Sequence, residues 1–368
     1  MERKIKVLFS VPRFSVGGAE KFLVHHLAHI DRNAYEVTMV TIFDEQQGAS
    51  CADQARIDRC FHARSIGDIS AFFKMLAFVR RGHFDVVVTH LFTGNLLVRI
   101  AAILARVPVI ISYEHNIYPN KRWWQIFVDK ILSLWTDRII VDSDAARRFT
   151  AQQEFIPLDK FLTIVIPPLL DKRQRRTREQ VLSELRIQPD SLIVVTVSRL
   201  VVDKGHKYLV EAAPQVLEKH PNAYFLIGGW GPLKEELEAQ VKRLGISEHV
   251  RILGRVDGQE FMSLADLYVD PSISTDLPIG IMEAMTMSKA IVATIVGEIP
   301  NFVQNEKTGL VVPPGDMHAL VAAIDRVLGD ESLRKQYGEA GKRKVGEYSM
   351  ENYTRTFDEL IHALVENK

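Results

Sequence analysis

The sequence holds only two cysteines, Cys51 and Cys60, in 368 residues. That is too few for a disulfide framework, and their spacing fits no thiolate metal motif. It carries no net charge, with 46 basic residues against 46 acidic ones, so a basic nucleic-acid surface is not expected and no nucleic acid partner is assigned. No apolar run is long enough to span a bilayer, because Arg99 and Arg106 break the best candidate. The opening MERKIKVLFSVP is basic and then apolar, but its apolar run is too short for a secretory leader. It reads as a first buried strand. The expected location is the cytoplasm, with a peripheral place on the inner face of a membrane as the alternative. Internal repeats at solenoid periods and low-complexity segments are also missing.

What is present is ordinary globular composition, 47% hydrophobic and 25% charged, in a chain long enough for two domains. Short β-branched runs at 6–11, 36–42, 85–89, 109–113, 138–141 and 161–166 alternate with helical patterns at 20–30, 69–81, 95–105, 124–135 and 144–153. That alternation predicts a parallel sheet with covering helices. The rhythm pauses at Ile166-Pro167-Pro168 and the basic stretch after it, which puts a boundary near Pro168. Runs at 192–197, 223–227, 250–253, 267–269, 290–293 and 311–312 then alternate with helices at 208–219, 233–244 and 279–287. Helices at 317–329, 333–345 and 350–366 close the chain. The expected fold is α/β, with two Rossmann-like doubly wound domains, 1–168 and 169–348, facing a central cleft. A last helical segment covers 349–368.

Two segments carry most of the chemistry. Ser198–Gly205, SRLVVDKG, follows a strand and presents Arg199 and Lys204. A forked guanidinium and a flexible ammonium on one strand-end loop suit a diphosphate. Asp270–Pro300 begins DPSISTDLPIGIMEAM. It predicts a helix opening near Pro278, with Glu283 two turns in. A helix N-terminus suits phosphate, and Glu283 on an otherwise apolar helix needs a ligand diol or a cation to satisfy it. Together these features fit a nucleoside-diphosphate sugar.

The remaining features admit two readings each. Gly17 and Gly18 open a helix after the first strand and allow close backbone approach to a phosphate or sugar, or simply make a tight turn. The same holds for Gly228-Gly229-Trp230-Gly231-Pro232. His115 ends a strand where sites form and is favoured for proton chemistry; His90 is not. His25, His26 and His29 are expected at the surface. Asp142-Ser143-Asp144 has the form of a metal-binding D-x-D but sits where Asp and Ser cap a helix, and capping is preferred. Lys121-Arg122-Trp123-Trp124 opens an apolar helix that suits either a membrane interface or a domain core.

At these residues the chain resembles a glycosyltransferase of family 4, the retaining group with the GT-B fold. The resemblance runs over essentially the whole sequence, through GGAE, YEHN, SRL…DKG, IGGWGP, ILGRV, PSIS…LPIGIMEAM, VATIVGEIP and TGLVVPPGD. It implies that Arg199 and Lys204 hold the donor diphosphate and that Glu283 holds the ribose hydroxyls. The amides of Ile279 and Gly280 would face the phosphates, Gly17 and Gly18 would leave room for phosphate and acceptor, and His115 would lie by the transferred sugar. The C-terminal helix would cross back to the first domain. No cofactor or metal is implied. The family often carries two glutamates spaced E-x7-E; Glu283 matches the second, whereas the first falls on Thr275, with Asp276 adjacent.

The implied activity is retaining transfer of a sugar from a nucleotide donor to a glycan or lipid-linked acceptor. With Thr275 at the first glutamate position, a non-catalytic nucleotide-sugar-binding subunit is the alternative. A GT-B epimerase is a third reading without support from Arg199, Lys204 and Glu283.

Overall fold

The apolar runs become parallel strands, and the chain forms two compact units, Met1–Pro167 with Met350–Lys368, and Pro168–Ser349. The computed structural model describes residues 3–14, 18–45, 56–115, 117–170 and 174–368.

The first unit contains β1 (Ile5–Val11), α1 (Gly18–His29), β2 (Tyr35–Thr41), β3 (Arg59–Cys60), α2 (Ile69–Gly82), β4 (Val86–His90), α3 (Leu91–Ala105), β5 (Val109–Glu114), α4 (Trp123–Leu132), β6 (Arg138–Val141), α5 (Asp144–Glu154) and β7 (Phe161–Thr163). Its seven strands lie in the order β3-β2-β1-β4-β5-β6-β7, with every pairing parallel. The second unit contains α6 (Arg178–Glu184), β8 (Leu192–Val197), α7 (His206–Lys219), β9 (Ala223–Gly228), α8 (Lys234–Arg243), β10 (Val250–Gly254), α9 (Gly258–Leu264) and β11 (Leu267–Asp270). It continues with α10 (Ile279–Thr286), β12 (Ala290–Thr294), α11 (Ile299–Phe302), β13 (Leu310–Val312), α12 (Met317–Leu328) and α13 (Glu331–Val345). Its six parallel strands run β10-β9-β8-β11-β12-β13. The last helix, α14 (Met350–Glu366), belongs to the first unit, where Tyr353 and Phe357 pack on the rings of Phe22, His26 and Phe9.

Local chemistry starts the helices. Side chains of Asp68, Ser143, Thr177, Asp257, Asp316 and Asp330 accept from the first-turn amides of α2, α5, α6, α9, α12 and α13. Helix α3 starts earlier than the sequence pattern suggests, because β4 passes straight into it through Leu91 at φ 61°. The β-branched strands are buried almost throughout: Val86, Val87 and Val88 in β4, and Ile291, Val292 and Ala293 in β12, have no exposed surface. Such burial on both faces is what a parallel sheet under helices requires.

In each sheet the strand order reverses direction at one place, between β1 and β4 in the first and between β8 and β11 in the second. Open α/β sheets bind ligands at the carboxyl ends of the strands beside such a reversal.

Candidate active site

In the second unit, the loops after β8 and β11 meet at that switch point. The first turns through a 3-10 segment, Val202–Lys204, and ends at Gly205 with φ 62°. A Cβ on Gly205 would overlap the Pro271 carbonyl, so only glycine lets the loops close on each other. They are stitched by backbone bonds from the Ile273 and Ser274 amides to the Asp203 carbonyl, at 2.8 and 3.2 Å. Lys204 Nζ donates to Thr275 Oγ1 at 2.9 Å, which joins two of the sequence-predicted residues directly. Arg199 is exposed on the same loop. Burial holds the Lys204 ammonium below the usual lysine range; Asp270 opposes that shift and Arg199 adds to it. A half-desolvated ammonium with a guanidinium for company is poised for an anion.

His206 fixes the same loop. Its Nε2 lies 3.0 Å from Ser198 Oγ and 3.2 Å from the Arg199 carbonyl, and burial lowers its pKa to about 4. The ring is therefore neutral and donates to the Arg199 carbonyl. Nothing in the sequence reading singled out His206.

The glycines near this site serve packing. A Cβ on Gly229 would overlap the Ser198 carbonyl, and one on Gly231 the Leu200 carbonyl. Leu200 N donates to Trp230 O at 2.9 Å, and Leu233 N to Leu200 O at 3.1 Å. The glycine-rich segment after β9 thus closes on the Arg199 loop, a reason the sequence could not separate from ligand approach. Gly280 shows the same logic: a Cβ there would stand 2.6 Å from Tyr268 Oη and 3.6 Å from the Val197 carbonyl. Helix α10 therefore begins directly over the end of β8. The Ile279 amide donates to the Leu277 carbonyl at 3.0 Å, so it is already engaged in a tight turn.

Glu283 lies little more than one turn into α10, not two, and is half-buried. It accepts from Gln259 Nε2 at 2.9 Å. That amide also reaches the Leu169 carbonyl at 2.6 Å, and Arg175 Nη2 donates to Gln259 Oε1 at 2.6 Å. The expected cation or diol beside Glu283 is thus supplemented by a neutral side chain from α9, held by an arginine, which sequence reading missed. The Thr275–Asp276 turn is pinned by its backbone: the Glu298 amide donates to the Asp276 carbonyl at 3.3 Å, and Gly297, at φ 52°, leaves no room for a Cβ against the Thr275 carbonyl. Asp276 itself is half-buried.

The first unit holds the other predicted residues. Gly17 lies outside the described residues. Gly18 opens α1 and would have nothing within 4 Å of an added Cβ, so packing does not demand glycine there. His115 follows β5 and is buried; its Nε2 lies 2.9 Å from His90 Nδ1, and its Nδ1 lies 3.3 Å from Asp142 Oδ2. The Tyr113 ring stacks on it at 4.1 Å. Burial and then the neighbouring His115 drive the His90 pKa well down, and the two rings touch directly.

Two further expectations are corrected, and a third, helix capping within Asp142-Ser143-Asp144, is borne out at Ser143. His26 is not a surface residue: it is fully buried among Phe9, Phe22, Tyr353 and Phe357, with a pKa lowered to about 3, chiefly by desolvation. Lys121 is not an interfacial cation. Its ammonium is buried against Glu154, Asp129 at 2.9 Å and Glu114 at 4.0 Å, and Asp129 also pairs with the buried Arg99 at 2.6 Å. In Asp142-Ser143-Asp144, Ser143 alone caps α5; Asp142 faces His115, and Asp144 accepts from Thr163 at 2.6 Å. Among the described residues, one group has metal-ligating atoms within reach of each other, Asp44, Cys60 and His62, where His62 Nδ1 pairs with Asp44 Oδ1 at 2.5 Å. It shares no residue with the loops after β8 and β11.

Residues 177–344 match the family model described as glycosyl transferases group 1, and residues 16–171 match that of glycosyltransferase family 4. Among curated proteins, alpha-D-kanosaminyltransferase of Streptomyces kanamyceticus is 26% identical over 260 residues, 66% of this chain and 67% of that one. UDP-Gal:alpha-D-GlcNAc-diphosphoundecaprenol alpha-1,3-galactosyltransferase of Escherichia coli is 24% identical over 325 residues, 84% of this chain and 83% of that one. Anabaena HepE, solved with UDP and with UDP-glucose, is similar in fold at TM-scores of 0.83 and 0.81. Its identity is 19% and 20%, over 98% of this chain and 100% of that one.

Proposed function

The chain belongs to glycosyltransferase family 4 and is a glycosyltransferase of the GT-B fold acting with nucleotide sugars, and from that premise we propose retaining, metal-independent transfer to a glycan or lipid-linked acceptor. One observation carries the donor side. At the switch point of the second sheet, the Lys204 ammonium is braced on Thr275, on the loop that leads into α10, beside exposed Arg199. In this reading Arg199 and Lys204 hold the diphosphate by charge-assisted bonds. The Gly280 amide adds the partial charge of the helix end. Glu283, oriented by Gln259, accepts from the ribose hydroxyls.

Transfer breaks the bond from the anomeric carbon to the diphosphate oxygen. The acceptor oxygen forms the new bond on the same face, and its proton passes to the departing phosphate. Fixed cations already placed at the leaving group stabilise the developing charge without reorganisation, which supports chemistry that needs no divalent ion. Asp144 accepts from Thr163, and Asp142 lies against His115. Asp276 is assigned to the donor sugar. His115, beside His90 and Asp142, is assigned to the transferred sugar, and Gly17 and Gly18 to leaving room for phosphate and acceptor. The Escherichia coli relative is named for a diphosphoundecaprenol acceptor, which supports a lipid-linked glycan acceptor here. On that reading the chain works in envelope polysaccharide synthesis at the cytoplasmic membrane face.

Thr275, at the position of the family's first glutamate, favours one other reading, a nucleotide-sugar-binding subunit without turnover. Incubating the purified chain with a panel of nucleotide sugars separates the two. Released nucleoside diphosphate supports the enzyme. Tight binding with no release from any donor, with or without acceptor, supports the subunit.

A further inference from the structure

We propose that Trp123, Phe127, Ile131, Leu134, Trp135 and Phe155 form a docking surface for a bilayer that carries anionic lipid. Helix α4 has two unlike faces. Its inner face sends Asp129 and Leu132 into the unit, with Asp129 bound by Arg99 and Lys121. Its outer face repeats every four residues: Trp123 is 80% exposed, Phe127 57% and Ile131 38%. The chain beyond α4 turns Leu134 and Trp135 outward as well. Phe155 ends α5 in left-handed backbone at φ 55° and is 71% exposed, although that position favours glycine. Lys130 Nζ lies 5.3 Å from the centre of its ring, which ties the two helices into one patch.

Charge decides the occupant. Of the four charged residues in 121–135, Lys121 and Asp129 point inward and are paired with each other. The two left at the surface, Arg122 and Lys130, are both basic. Exposed tryptophans with cations and without an exposed acid match the boundary between lipid headgroups and acyl chains. A second copy is a poor occupant, because a twofold contact would bring this patch against itself and crowd four cations together. The surface extends the lipid-linked acceptor reading, but its test needs no turnover.

The full chain should float with phosphatidylcholine vesicles containing about one third phosphatidylglycerol at low salt, and poorly with phosphatidylcholine alone. Trp123→Ser with Phe127→Ser should lower the partition coefficient by about tenfold or more, with circular dichroism unchanged. Arg122→Gln with Lys130→Gln should lower it roughly 10- to 30-fold on anionic vesicles and leave the neutral ones unaffected. Absence of flotation at low salt, or a Trp123/Phe127 variant that floats like the wild type, overturns the proposal. So does a wild-type dimer that the same variant dissolves without any lipid binding, which makes the patch a contact between copies. A chain that floats but transfers no sugar keeps this surface and removes the acceptor reading instead.

Discussion

Replacing Lys204 by methionine keeps the length of the side chain and removes its charge. In the structure the ammonium has one neutral side-chain partner, Thr275 Oγ1 at 2.9 Å, and is partly desolvated beside Arg199. The folded state therefore gains little from that charge, and stability should hardly change. A bound diphosphate gains a charge-assisted bond from it, about 1.5–3 kcal/mol, which corresponds to roughly 10- to 150-fold in affinity. Thr275→Val removes only the brace and leaves the cation free to turn away; a neutral hydrogen bond of about 1 kcal/mol sets that loss at roughly fivefold. Isothermal titration with uridine, guanosine, thymidine and adenosine diphosphates measures both, and thermal denaturation without ligand checks the fold. The predicted order of affinity is wild type, then Thr275→Val, then Lys204→Met. A folded Lys204→Met chain that binds its diphosphate as tightly as the wild type would refute the placement of the phosphates at this loop.

Gly280→Ala should destabilise the second unit by about 1–3 kcal/mol in urea unfolding, because its Cβ would stand 2.6 Å from Tyr268 Oη; Tyr268→Phe should recover part of the loss, and no recovery would point to the helix start instead. His26 has a native pKa lowered to about 3, so the unfolded chain takes up a proton that the native ring refuses once the pH falls below 6.5. Its stabilisation is full above that value and is lost on acidification, by about 2 kcal/mol between pH 7 and pH 5. Unfolding of His26→Leu at the two pH values should show that much less acid sensitivity; equal sensitivity removes His26 as the cause. Sugar transfer should survive a chelator, since Arg199, Lys204 and the start of α10 supply the positive charge; turnover abolished by chelation and restored by a divalent ion would return Asp142 and Asp144 to consideration.

The two alternating sheets were legible in the sequence because period-2 and period-3.6 patterns are strong in long elements such as α2 and β8. The two-residue β3 and the seven-residue α6 and α9 are too short for either pattern to register. Arg199, Lys204 and Glu283 could be picked out because the strand-loop-helix order puts each at a carboxyl end of the sheet. Their partners could not. Gln259 lies 24 residues from Glu283, and Arg175 lies 84 residues from Gln259, so only the folded chain brings them together. Gly229, Gly231 and Gly280 illustrate another limit: close approach to a ligand and close approach to a neighbouring loop ask for the same residue. The sequence left Lys121 between a membrane interface and a domain core because its three carboxylate partners come from β5, α4 and α5. His26 looked exposed because three histidines share α1, and only the packing of α14 shows which one is covered.

The central claim is sugar transfer from a nucleotide donor, and its most direct measurement follows both products in one reaction. The purified chain is incubated in a chelator with a panel of nucleotide sugars and a polyprenyl-diphosphate saccharide, and nuclear magnetic resonance reads the new linkage. The predicted result is nucleoside diphosphate released in step with glycosylated lipid, with the donor's anomeric configuration kept, and both lost together in Arg199→Ala. Nucleotide bound tightly but no sugar transferred from any donor would contradict it.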